Sequence, residues 1–100
     1  MNPTVRTQNA TVTPIASAAT ALAANSARVG FMLQNLGTNA LFIKYGTGAT
    51  SSDFSVVLKA STVQDDGTGG ILTSADTAVF TGEISIAGTT PRYAVTELAP

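Results

Sequence analysis

The segment Asp65-Asp66-Gly67-Thr68-Gly69-Gly70 is where the residue types of this sequence come closest to a chemical site. Adjacent carboxylates on a glycine-rich backbone can offer oxygen ligands to a hard cation such as Ca²⁺. The spacing departs from an EF-hand loop, which needs acidic or amide ligands at alternating positions and a Glu several residues after its Gly. It is not a phosphate cradle either, because no Lys-Ser/Thr and no helix start follow it. A solvated loop joining two strands is the better reading. A carboxylate pair of the glycosidase kind would have to come from Asp53, Asp65, Asp66, Asp76, Glu83 and Glu97, and nothing in their spacing places two of them in one cleft.

The remaining chemistry is limited by what is absent. The 100 residues contain no His, no Cys and no Trp, which removes Ser-His-Asp and Cys-His catalysis, Cys/His zinc sites, haem ligation through His and disulfides. The expectation is a protein that is not an enzyme and that carries no cofactor and no metal. Six acidic against five basic residues leave a net charge of -1, with no basic footprint for a phosphate backbone, so nucleic acid is not an expected partner. Only 11% of residues are charged, against about 25% in typical soluble domains. So neutral a surface points to life inside an assembly, where neighbours cover it.

The elements that must position these residues are strands. From Arg28 onward, β-branched and aromatic residues come in short runs broken by Gly, Asn, Asp and Ser. Val29–Gln34 and Ala40–Tyr45 are expected as an antiparallel hairpin across Asn35-Leu36-Gly37-Thr38-Asn39. In the second of these strands Leu41, Ile43 and Tyr45 alternate with Phe42 and Lys44, which turns Phe42 toward a partner or a second sheet. Gly46–Asp53 reads as a loop. Phe54–Ala60 reads as a strand with Phe54, Val56 and Leu58 on one face, and Thr77–Phe80, Glu83–Ala87 and Arg92–Thr96 as three more. The six Phe and Tyr residues are assigned mainly to the core, because a domain this small needs their area for stability.

Ahead of Arg28, Thr4 to Ala24 is a low-complexity mixture of Thr, Ala and Ser. Ala16–Ala24 has helix propensity but neither a cap nor an amphipathic stripe, so extended structure is favoured, with the first residues an arm that orders against a partner. Counting one or two strands here, the total is seven or eight, at the spacing of a sandwich or barrel. The fold class is therefore all-β, a small antiparallel β-sandwich over residues 14–100 with an extended N-terminal arm over 1–13. No apolar run approaches the roughly 20 residues of a membrane helix, so no membrane is expected. Met1-Asn2-Pro3-Thr4-Val5-Arg6 lacks the pattern of a signal peptide, which implies synthesis in the cytoplasm.

Ala24-Asn25-Ser26-Ala27-Arg28-Val29-Gly30-Phe31-Met32-Leu33-Gln34-Asn35-Leu36-Gly37 resembles small virion structural proteins of tailed bacteriophages. The features that carry the resemblance are an Asn-x-x-Arg turn, a hydrophobic strand ending in Gln-Asn, a Gly/Thr/Asn turn, and then Leu41–Gly46. It continues through Ser52–Ala60, the Asp65–Gly70 loop, Gly82–Ala87 and Arg92–Glu97, and covers about three quarters of the chain. It implies a β-sandwich of jelly-roll type acting as a capsid decoration (cement) protein on the outer surface of the virion. The implied partner is the major capsid protein, with the chain a homo-oligomer, a trimer or dimer at a capsid symmetry axis. Jelly-roll and immunoglobulin-like strand orders share nearly the same hydrophobic pattern.

The residues expected to contact a partner are Asn2, Pro3, Thr4, Val5 and Arg6 of the arm, together with Arg28, Phe42, Asp53, Asp65 and Asp66. Arg28, at the entrance to a strand, can anchor a partner carboxylate or serve as a hydrogen-bonding arginine of the fold. The alternative function is a receptor- or glycan-binding module of a tail fibre, or a neck or tail structural protein. A sugar site would use Tyr45 or Tyr93 beside an acidic loop.

Overall fold

The computed structural model describes residues 4–11, 18–74 and 78–100, the first of these segments as backbone. Eight strands follow one another along the chain: β1 (Thr4–Thr11), β2 (Ala18–Leu22), β3 (Gly30–Asn35), β4 (Leu41–Tyr45), β5 (Val56–Leu58), β6 (Ile71–Thr73), β7 (Ile84–Ala87) and β8 (Arg92–Ala99). They form two four-stranded sheets, ordered β1-β8-β3-β6 and β2-β7-β4-β5. Every pairing between these strands is antiparallel. The all-β, two-sheet expectation therefore holds, and among the described residues there is no helix.

Alternation along the strands builds the core. In β8, Tyr93, Val95, Glu97 and Ala99 are buried while the residues between them are half-exposed. Phe31 and Leu33 from β3 join Tyr93 and Val95 from β8, and Leu41, Ile43, Ile84 and Ile86 from β4 and β7 meet them from the opposite sheet. A period of two places each set on one face, and closing the two faces together removes them from water, which is the main stabilising term. Ala18–Leu22 is a strand because it pairs with β7, in agreement with the extended reading over the helical one.

The expected hairpin is not formed. β3 pairs with β6 and β8, and β4 with β5 and β7, so Leu36–Ala40 crosses from one sheet to the other. Both strands present buried apolar faces, and packing them face to face covers both sets, where a hairpin would lay them side by side. The Asn35 amide fastens the crossover. Its Nδ2 donates to the carbonyls of Asn39 (2.9 Å), Lys59 (3.2 Å) and Leu58 (3.3 Å), and its Oδ1 accepts from Gly37 N at 2.9 Å.

Two further differences concern the later strands. Ile71–Thr73 is a strand that sequence reading passed over because it is three residues long behind a glycine pair. Ala78–Phe80, expected within a strand, is irregular; Phe80 packs against the core instead, and Thr77 lies outside the described residues. Residues 4–11, expected as part of the arm, run as β1 beside β8, while residues 1–3 and 12–13 of that arm lie outside the described residues.

Candidate functional site

The residues singled out from the sequence fall in different parts of the fold. Asn2 and Pro3 lie outside the described residues. Thr4, Val5 and Arg6 open β1, in register with Ala99, Leu98 and Glu97. The 59–70 loop carries Asp65 and Asp66 at the end of the sandwich where β8 begins, whereas Arg28 sits where β8 ends. Phe42 and Asp53 belong to the outer face of the β2-β7-β4-β5 sheet.

Arg28 is not a surface anchor. Its side chain has no exposed area, and all three guanidinium nitrogens are engaged within the chain. Nε donates to Glu97 Oε2 at 2.9 Å, Nη1 to the carbonyls of Phe80 (2.7 Å) and Gly82 (3.0 Å), and Nη2 to the Ala23 carbonyl at 2.7 Å. The guanidinium also lies 5.9 Å from the Phe31 ring centre. Arg28 thus ties the β2–β3 and β6–β7 connections to β8, since a planar fork of donors matches several carbonyls at once. A partner carboxylate would have to displace Glu97 from inside the protein.

The acidic loop is internally satisfied. Asp65 takes Arg92 bidentately, at 2.7 and 2.9 Å, and the Arg92 hydrogen bond holds its carboxyl below the usual range. Asp66 accepts from Thr68 Oγ1 (2.6 Å), Thr68 N (2.9 Å) and Val63 N (2.9 Å), and the Thr68 hydroxyl is the main reason that its carboxyl is also lowered. Gly69 is required by close packing: a Cβ there would sit 1.9 Å from the Asn35 carbonyl oxygen. The loop is a tied structure joining β5 and β6. The other described carboxylates are likewise partnered, Asp53 with Lys44, Glu83 with Thr20 and Glu97 with Arg28.

On the outer face of the second sheet, Ala18, Ala87, Phe42 and Val57 form one row across β2, β7, β4 and β5. The loop after β4 folds over part of it. Ser85 Oγ donates to the Gly46 carbonyl at 2.7 Å and accepts from Ala49 N at 3.1 Å, so Ser85 is buried although it points away from the core. Lys44 Nζ and Asp53 Oδ2 close the loop at 2.7 Å. Between the loop and the sheet lies an open depression of about 480 Å³, with Phe42, Ala18 and Ala87 against Asn39, Thr50 and Thr89.

Phe42 is half-buried, with its ring centre 4.9 Å from that of Phe54. Phe54 (40% exposed) and Val57 (47%) extend the apolar surface into solvent. Phe54 was expected on the core side with Val56 and Leu58. The strand begins only at Val56, so the period-two rule does not reach back to Phe54, and the preceding turn carries the ring to the outer face. Of the two tyrosines read as sugar platforms, Tyr45 is 37% exposed and Tyr93 is enclosed. Tyr93 is buried, which raises its phenol pKa. Tyr45 is stacked on Phe80 at 5.1 Å and edge-on to Phe31 at 6.2 Å.

No protein-family model matches this sequence, and comparison with curated proteins and with solved structures finds no match for the chain.

Proposed function

We propose that this chain is a decoration (cement) protein of a tailed-bacteriophage capsid, a non-enzymatic virion component that binds the major capsid protein without covalent chemistry. The observation that carries this reading is the exposed apolar surface on the outer faces of both sheets. Phe54 and Val57 flank Phe42 on one, and Met32 (46% exposed) lies diagonal to Ile71 (54%) on the other. Such surface is normally found where another molecule covers it, and this chain has few charges to protect it in solution. The pairing order supports the same reading: β1 with β8, β2 with β7, β3 with β6 and β4 with β5 is a long hairpin rolled on itself, the jelly-roll arrangement common in capsid proteins. Copies repeated over a shell would attach strongly through individually weak contacts.

Cryo-electron microscopy of the protein mixed with purified shells tests the proposal. Ordered density on the outer capsid supports it; density confined to a tail, or none on shells, overturns it. A second reading, glycan binding, is favoured by the depression that Phe42 lines together with Asn39, Thr50 and Thr89. Binding on a glycan array, without binding to shells, would select it.

A further inference from the structure

Three connections that the chain holds in place surround the depression on the outer face of the β2-β7-β4-β5 sheet. The loop after β4 is tied down by Ser85, which bonds both Gly46 and Ala49, and by the Lys44–Asp53 pair. The Leu36–Ala40 crossover is joined to the turn between β7 and β8, where Asn39 Nδ2 donates to the Thr89 carbonyl at 3.1 Å and to Thr90 Oγ1 at 3.3 Å. Gly88 lets that turn approach closely: a Cβ there would lie 3.0 Å from the Ala40 carbonyl oxygen. Thr90 has φ of 43°, a left-handed conformation that a β-branched residue ahead of a proline resists. Strain of this kind persists only where surrounding contacts impose it, and it collects at ligand sites.

The lining indicates the chemistry of the ligand. Ala18, Ala40, Phe42, Ala49 and Ala87 supply the apolar part, four small side chains leaving room beside one aromatic residue. Asn39, Thr50, Ser51 and Thr89 supply the polar part, all neutral and all able both to donate and to accept. Because the Asn39 amide nitrogen is committed to the turn, its Oδ1 is left as an acceptor without a donor among the described residues. No charged side chain lines the depression among the described residues, so an ionised ligand would give up water without gaining a countercharge. The volume of about 480 Å³ falls within the roughly 300–1,000 Å³ of small-molecule sites.

We infer that this depression binds an uncharged saccharide, with an apolar ring face against Phe42 and hydroxyls on Asn39, Thr50, Ser51 and Thr89, and that Thr90 is a positioning residue for the turn that carries Thr89. The inference rests on the glycan-binding reading, to which it gives a ligand class, and it holds whether or not the chain also sits on a shell.

Nitrogen–proton correlation NMR of the full chain tests it, by titration with neutral methyl hexopyranosides and N-acetylhexosaminides and, separately, with glucuronic and N-acetylneuraminic acids. The neutral sugars should shift the amides of Ala40, Thr50, Ser51 and Thr89, and the anionic ones should leave them in place. Ala18→Leu, a change at an exposed position, fills the space and should weaken binding about tenfold or more, and Thr50→Ala about three- to tenfold. Thr90→Gly releases the strained φ, so it should melt no lower than the parent and yet bind more weakly. Circular dichroism reports whether each variant is folded. Absence of binding by every sugar overturns the glycan reading and the inference together. Equal binding of anionic and neutral sugars, shifts centred elsewhere on the surface, or unchanged affinity in Ala18→Leu overturns the inference and leaves that reading standing. Unchanged affinity in Thr90→Gly overturns the role given to the strained turn.

Discussion

Arg28 and Arg92 each pair with a carboxylate at one end of β8, and the two ends are built on different physics. Where β8 ends, Glu97 faces inward and meets an arginine whose side chain is fully enclosed and whose remaining donors hold three backbone carbonyls. Where β8 begins, Arg92 grips Asp65 in good bidentate geometry, yet both side chains stay open to water. Water and salt screen the second pair. The first is enclosed where Arg28 meets Glu97 and is screened far less. A short Arg–carboxylate distance therefore says little until burial and the other hydrogen bonds of the arginine are known.

The strongest way to break this contrast is Arg28→Ala. It removes the ion pair that buried Glu97 makes with Arg28 and the donor shared by the carbonyls of Ala23, Phe80 and Gly82, and should cost about 3–5 kcal/mol in urea unfolding. Arg28→Lys should fall between, since one ammonium cannot serve all four acceptors. A loss no larger than that of Arg92→Ala would refute the distinction. At the opposite end the buried group is the Asn35 amide rather than the ion pair. Asn35→Ala should cost about 1–3 kcal/mol by leaving enclosed carbonyls without donors.

The exposed pair should show itself through pH. Arg92 and Thr68 lower the carboxyls of Asp65 and Asp66 below the ordinary aspartate value of 3.8. A carboxyl whose pKa falls on folding stabilises the fold above its unfolded value, and that contribution disappears as pH drops through the lowered one. Thermal melts should therefore lose midpoint as the pH falls below about 4, with Asp65→Asn melting below the parent near neutrality, declining less steeply and converging with it in acid. A steeper decline would contradict the assignment. Smallest of all should be Lys44→Ala, whose partner Asp53 is well exposed; at most about 0.5 kcal/mol is expected in urea unfolding.

Much of the fold was readable where strands are long and alternate. The core faces of β3, β4 and β8 follow from Phe31 and Leu33, Leu41 and Ile43, and Tyr93 and Val95, because burial of one face imposes a period of two. Reading failed where a strand is three residues long, as at Ile71–Thr73, or where the rule was carried past the strand end, as at Phe54. It failed again at Asn35-Leu36-Gly37-Thr38-Asn39, since turn-forming residues announce a change of direction without saying whether the next strand stays in the same sheet. Of the candidate contact residues, Phe42, read both as a core aromatic and as facing a partner or a second sheet, lies on an outer face, while Arg28, read either as an anchor for a partner or as a hydrogen-bonding arginine of the fold, is the latter.

By itself the sequence determined the all-β class, the extended state of Ala18–Leu22, the inward faces of the longer strands and the exclusion of His- and Cys-dependent chemistry. These depend on local sterics, on the alternation of side chains and on which functional groups the chain contains. Only the tertiary structure decided that Leu36–Ala40 crosses between sheets, that Arg28 and Asn35 are fasteners, that Asp65 belongs to Arg92, and that Phe42, Phe54 and Val57 gather on an outer face. Those outcomes depend on pairings between residues distant in sequence, and charge or apolarity alone does not specify which distant group will be opposite.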